Sequence, residues 1–180
     1  MITEVFNYVP WTMVEVENIV NPEAYLLDTK RILEELRVNY YFAFGTALGL
    51  YRDNGFVPHD TDVDVAVMTH DPQRVVDEFR QSYKIIRHVK YGDVWQQAVF
   101  RGEDGFFIDI CFFYLIDLKL TSYCEGGRWE DDPLVISTPK EIETKYGSFL
   151  VPRFIEKYLQ IRYGDWKTPR YGEINSSIKA

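Results

Sequence analysis

Asp62 and Asp64 stand two residues apart in the stretch DTDVDVAVM, and Asp60 stands two before Asp62. From Asp62 to Met68 the residues are β-branched and alternate in polarity, the pattern of a strand. Strand side chains alternate faces, so Asp62 and Asp64 point the same way, about 6.6 Å apart along the chain. Val63, Val65 and Val67 point the other way, into a core. Asp60 joins the acidic face only if the strand starts early, which makes it the weaker member of the set. Like charges at this spacing repel, and burial makes the repulsion worse. No cationic side chain lies between them, so the group needs protons or a cation from outside.

Asp109 is the second clue. It sits in FFIDICFF between Ile108 and Ile110, and an unpaired carboxylate buried there costs several kcal/mol. If its strand lies beside Asp62–Met68, Asp109 completes a three-carboxylate pocket. Hard divalent ions such as Mg²⁺, or Mn²⁺, take oxygen ligands of this kind and keep positions open for phosphate. Two such ions, about 3.5–4 Å apart, can clamp the attacking and leaving oxygens of a phosphoryl transfer. Asp62, Asp64 and Asp109 are therefore the candidate metal ligands and catalytic groups, with Asp60 as a weaker metal ligand.

Gly45-Thr46 is the candidate for the other half of such a site. A Gly-Thr turn opening a helix offers backbone N–H groups, a hydroxyl and the positive end of a dipole to an anion. Thr46 is equally suited to be an ordinary N-cap. Arg52, on the following segment, is placed to reach a phosphate, or to lie exposed. His59 follows a proline in a turn and suits a solvated role. His70 and His88 have no identifiable partners. Cys111 and Cys124 form no metal-spacing motif and read as two core thiols.

These groups must be held by elements the sequence also marks. Asn21, Pro22 and Glu23 are a cap, a first-turn proline and a dipole-complementing acid. The helix they open runs on with Leu26, Leu27, Ile32, Leu33 and Leu36 on one side. YYFAF (Tyr40–Phe44) reads as a short buried strand. ALGLYRDN (Ala47–Asn54) reads as a short helix capped by Gly55. Asp71-Pro72 opens a helix through about Gln81. YKIIRHVKY and VWQQAVFRG read as two strands joined near Gly92-Asp93. FFIDICFFYLI (Phe106–Ile116) reads as one central strand buried on both faces. Residues 117–146 mix a strand, an EGG turn and TPKEIETKYG. VPRFIEKYLQIRYG (Val151–Gly164) reads as a helix entered at Pro152 and ended at Gly164. The order implies an α+β (α/β mixed sheet) fold.

The chain has 180 residues, 46% hydrophobic and 16% aromatic, which suits one domain over residues 1–180. Its core would span about 22–116, with a C-terminal helical segment about 151–171. The net charge of −8 argues against broad binding to nucleic acid. No apolar run is long enough to span a bilayer. The first twenty residues carry several acids and no Lys or Arg, unlike a signal peptide, so a cytoplasmic protein is expected.

FGTALGLYRDNGFVPHDTDVDVAVM resembles the signature of the LicD family, which includes the fukutin-related proteins and belongs to the nucleotidyltransferase-fold superfamily. Gly45, Thr46, Leu48, Gly49, Arg52, Gly55, Phe56, Pro58, Asp60, Asp62 and Asp64 fall in its pattern. FFIDICFF resembles the family's strand with a third metal ligand, which maps onto Asp109. The closing segment resembles the family's Tyr-Gly-Asp block at Tyr163, Gly164 and Asp165. His59 stands where the family usually has Trp, and Thr61 where many members have a further Asp.

The resemblance implies a nucleotidyltransferase-like fold, a small mixed sheet flanked by helices. It also implies a metal-dependent phosphotransferase, moving a phosphorylated alcohol such as phosphocholine or a polyol phosphate from a CDP-activated donor. The acceptor is a glycan or small-molecule hydroxyl. Asp62, Asp64 and Asp109 would hold Mg²⁺ or Mn²⁺, Gly45, Thr46 and Arg52 donor phosphate. Tyr163 and Trp166 would line the substrate site or pack. Three alternatives remain at this level: transfer of NMP from an NTP to a small molecule, a DxD glycosyltransferase, and a non-catalytic nucleotide-binding module. The Gly-Thr turn before DVD and the short chain speak against the glycosyltransferase.

Overall fold

The computed structural model describes residues 21–58, 60–124, 127–133 and 138–169. The first twenty residues, His59 and the segment beyond Pro169, including Tyr171, lie outside them. Helix α1 (Pro22–Leu36) starts where its cap requires: Asn21 Oδ1 accepts from the Ala24 N–H at 3.2 Å, and Pro22 occupies the first turn. Arg37, in the left-handed region at φ 54°, ends it. Helix α3 (Pro72–Phe79) starts the same way, with Asp71 capping the Arg74 N–H at 3.1 Å.

The centre of the fold is a five-stranded mixed sheet in the order β1-β2-β5-β4-β3. Its strands are β1 (Asn39–Phe42), β2 (Asp62–Met68), β3 (Lys84–Tyr91), β4 (Val94–Arg101) and β5 (Phe107–Phe112). Only the β2–β5 pair within it is parallel. One face carries Val63, Val65, Val67, Ile108, Ile110 and Phe100, packed under α1 and α3 in the main core. A fully buried side chain of this size contributes about 1.5–3 kcal/mol. The other face carries Tyr41, Ala66 and Cys111 and is covered by a second cluster from the C-terminal half. The acidic residues lie on this second face.

Three expectations need correction. The run Phe106–Ile116 is not one strand: β5 ends at Phe112, and β6 (Tyr114–Ile116) pairs in a separate antiparallel sheet with β7 (Lys119–Cys124) and β8 (Gly127–Asp131). Leu115 is 64% exposed, so hydrophobicity alone misplaced the end of the buried segment. The segment after β1 is helical from Phe44, not Ala47: α2 (Phe44–Leu48) widens into a π-turn over Gly49–Asp53, and Asn54 at φ 56° rather than Gly55 is the left-handed cap. Gly49 is needed there, since a Cβ would lie 2.5 Å from the Gly55 carbonyl. The last helix, α4 (Ile155–Tyr163), begins four residues after Val151, because Val151 closes the hairpin β9 (Lys140–Thr144) and β10 (Gly147–Val151). Gly164 ends it at φ 64°. Cys111 and Cys124 are free, buried and side by side. His88 packs on Trp95 at a ring distance of 5.2 Å. No described helix is long and apolar enough to cross a membrane.

A buried ion pair ties α4 to β8. Arg162 Nη2 donates to Asp131 Oδ2 at 2.6 Å, with both side chains under 10% exposed, at 7% and 8%. The guanidinium carbon also lies 4.7, 4.9 and 5.2 Å from the ring centres of Trp129, Phe44 and Tyr158. Removing one partner leaves the other charge buried and uncompensated, which costs about 3–5 kcal/mol. Asp131→Ala is expected to lose about that much in urea unfolding, whereas Glu35→Ala, at the exposed Arg31 pair, loses about 1 kcal/mol or less.

Candidate functional site

The parallel register of β2 and β5 sets Asp62 opposite Phe107 and Asp64 opposite Asp109. Opposed residues share a face, with strands about 4.8 Å apart. Asp64 and Asp109 are thus direct neighbours, and Asp62 lies on the same face one step along. Asp60 joins them from the loop before β2. A Cβ placed on Gly45 would lie 3.1 Å from Asp60 Oδ2 and 3.3 Å from Asp64 Oδ2, so the two carboxylates face one small space beside the start of α2.

Each carboxylate is held differently. Asp64 Oδ2 accepts the Gly45 N–H at 3.0 Å, and the Asp64 N–H donates to Thr46 Oγ1 at 2.8 Å. Gln97, from β4, donates to both oxygens of Asp109 at 2.9 and 2.7 Å. Asp60 and Asp62 are hydrogen-bonded to each other, which requires a proton on one of them. Asp60 Oδ2 is buried and has no hydrogen-bond partner among the described residues.

Burial pushes the acidity of all three β2-side carboxyls in one direction. Asp60 is raised by burial, with hydrogen bonds from Asp62 and the Thr61 backbone pulling it back. Asp62 is raised well above the carboxylate range by burial and then by the Asp60 charge. Asp64 is raised well above it by burial, then by the charges of Asp62, Asp109 and Asp60, against the Gly45 N–H. Without added cations the cluster is driven to hold protons.

The Gly45 N–H, expected to be open to an anion, is not free. The Gly45 N–H goes to Asp64, and the Phe44 N–H donates to the Tyr158 hydroxyl at 3.1 Å. Thr46 is buried inside the helix and is not its N-cap, which is Ala43. This dipeptide positions Asp64. Arg52 is not exposed: its guanidinium holds Asp53 at 2.6 and 2.8 Å and the Trp166 carbonyl at 3.2 Å. Trp166 is buried against Tyr51, with ring centres 5.7 Å apart, and so packs. Tyr163 stays at the pocket; burial and the Asp64 charge hold its hydroxyl protonated.

Residues 37–127 match the family described as LicD/FKTN/FKRP, nucleotidyltransferase domain. The chain belongs to that family. Among LicD/FKTN/FKRP relatives, the ribitol-5-phosphate transferase FKTN of Mus musculus is 31% identical over 87 residues, 47% of this chain and 19% of that protein. The Homo sapiens FKTN is 28% identical over 108 residues, 54% and 23% of the two chains. The chain spans about a fifth of the length of these relatives. In fold it is similar to the lincosamide antibiotic adenylyltransferase LnuA, with a TM-score of 0.56 at 19% identity, over 86% of this chain and 91% of that one. The antibiotic-resistance factor ANT(2'')-Ia follows, with a TM-score of 0.50 at 10% identity over 82% and 76%. The mixed sheet and its helices are a nucleotidyltransferase fold.

The residues that hold the carboxylates and the corner before α2 include some that no sequence motif marks. Gln97 gave one signal, a polar residue inside the apolar VWQQAVF run. Tyr158 and Arg162 gave none, because their partners lie far away in sequence. The donor set, all hard carboxylate oxygens, with an orphaned oxygen on Asp60, fits a divalent cation such as Mg²⁺. Among the described residues no three His, Cys, Asp or Glu side chains are placed, as they stand, to hold a metal ion together. Asp64 and Asp109 are instead turned to Gly45 and Gln97.

Two outcomes follow. Gly45→Ala puts a methyl group between Asp60 and Asp64, and is expected to weaken Mn²⁺ binding about tenfold. Its unfolding free energy should stay within about 1 kcal/mol of wild type, since helix propensity favours Ala by a similar amount. Because the folded Asp62 and Asp64 bind protons more tightly than the unfolded chain, metal-free stability is lost as pH rises above the ordinary carboxylate value of about 4. Asp64→Asn should therefore melt above wild type at pH 8 without metal, with the gap narrowing towards pH 5.

Proposed function

We propose that this chain carries a metal-dependent phosphotransferase site of LicD type. It would transfer a phosphorylated alcohol from a CDP-activated donor to the hydroxyl of a glycan or small-molecule acceptor. The single observation that carries the reading is the β2–β5 register, which sets Asp64 beside Asp109 with Asp62 next along the same face. Membership of the LicD/FKTN/FKRP family supports the choice of reaction.

Asp62, Asp64 and Asp109, with Asp60, would hold one or two Mg²⁺ ions. Bound there, the ions neutralise the charge that builds on the transferred phosphoryl group. The chain's own residues do the rest. Gly45 and Thr46 fix Asp64, and Gln97 fixes Asp109 so that its carboxylate can accept the acceptor's proton. The acceptor oxygen forms a new bond to the donor's distal phosphorus, and the bond from that phosphorus to the bridging oxygen of CMP breaks. CMP leaves with that oxygen. Tyr163, protonated at the pocket, can donate a hydrogen bond to bound phosphate or acceptor. In such a reaction positioning and charge neutralisation supply most of the acceleration.

Transfer of NMP from an NTP is the second reading, and the fold shared with LnuA favours it. The two differ in product: CMP in the first, pyrophosphate in the second. Incubation with Mg²⁺ and CDP-choline, CDP-ribitol or NTPs, followed by chromatography of the nucleotides, tests both. CMP release that depends on Mg²⁺ and falls at least about 10²-fold in Asp62→Asn is expected. Pyrophosphate release without CMP would replace the first reading by the second. Absence of metal-dependent nucleotide binding in the wild type would remove both.

A further inference from the structure

We infer that Arg87 binds a phosphate group of the nucleotide donor, a role that rests on the function proposed above. Strand β3 is at the edge of the main sheet, and its register against β4 shifts between Ile85 and Arg87. Ile85 opposes Phe100 and Arg87 opposes Val99, so Ile86 is the extra residue of a β-bulge. In an unbroken ladder Arg87 would oppose Ala98 and point into the apolar core under α3. The bulge turns it to the opposite face.

That face is the acidic one. Arg87 opposes Val99, Val99 opposes Asp109, and Asp109 opposes Asp64. The four residues form one row across the sheet, with the Arg87 backbone about 10 Å from that of Asp109. An arginine side chain spans much of that gap. Arg87 brings a positive charge to the row that ends on the two facing carboxylates. Bulges that re-aim a side chain recur beside active sites. With divalent cations on the carboxylates, a donor phosphate bound to them would come within reach of the guanidinium, whose planar fork matches two phosphate oxygens.

The rival is a purely internal role, in which Arg87 only balances Asp62. The two separate in binding experiments on the whole chain. CDP is titrated in saturating Mg²⁺ by calorimetry, and Mn²⁺ alone by electron paramagnetic resonance. The inference expects Arg87→Met to weaken CDP about 10- to 100-fold while changing Mn²⁺ affinity less than about twofold. Arg87→Lys should fall between, and it carries the comparison should Arg87→Met not fold. CDP affinity equal to wild type in a folded variant overturns the inference and leaves the proposed function standing. So does an equal change in CDP and Mn²⁺ affinity, which is the signature of a counter-charge. A wild-type chain that binds no CDP in Mg²⁺ overturns the CDP-donor reading and the inference together.

Discussion

The parallel pairing of β2 with β5 forces Asp64 and Asp109 side by side on a covered sheet face, where two like charges repel strongly. The surroundings can be read as responses to that constraint. The Gly45 N–H and the Gln97 amide each take one of the two carboxylates. Asp60 and Asp62 share a proton-requiring hydrogen bond. Arg87 is swung across from the other face by a bulge. These devices lower the cost of the cluster without removing it, because none places a full positive charge between the carboxylates. A divalent cation would.

The C-terminal half supports the same site from behind. Phe44 enters α2 at φ 42°, a region that a bulky residue adopts only where its surroundings insist. The insistence comes from α4. Tyr158 receives the Phe44 N–H, and Arg162, anchored by Asp131, stacks over the Phe44 ring. The next N–H along the chain is that of Gly45, aimed at Asp64. Helix α4, through Tyr158 and Arg162, thus closes a structural circuit that begins at the carboxylates. Its contribution is to hold the corner from which α2 departs.

Much of this was legible in the sequence, for physical reasons. The alternation in DVDVAVM gives the strand and both faces at once, and the caps at Asn21 and Asp71 give two helix starts to the residue. Asp109, isolated among apolar neighbours, could be assigned to the pocket because burial without a partner is too costly. Other features arise from tertiary contact and leave no local mark. The π-turn at Gly49–Asp53 depends on how closely the Gly55–Val57 backbone returns. The break at Phe113, which passes β5 into a second sheet, looks like uninterrupted hydrophobicity. The bulge at Ile86 reverses the side of Arg87, and no period-2 reading can place an inserted residue. Arg52 and the Gly45-Thr46 pair were expected to meet phosphate, whereas the Gly45 N–H, the Thr46 hydroxyl and the Arg52 guanidinium hold protein groups.

The central claim is that these carboxylates form a cation site. Anomalous diffraction at the manganese edge, from crystals grown with Mn²⁺ and CDP, measures it most directly. The account predicts a peak about 2.0–2.3 Å from oxygens of Asp62, Asp64 and Asp109, with Asp109 and Asp64 turned away from Gln97 and Gly45 to reach it. A fully occupied nucleotide with no anomalous peak at these three residues, their side chains still on Gln97 and Gly45, would contradict it.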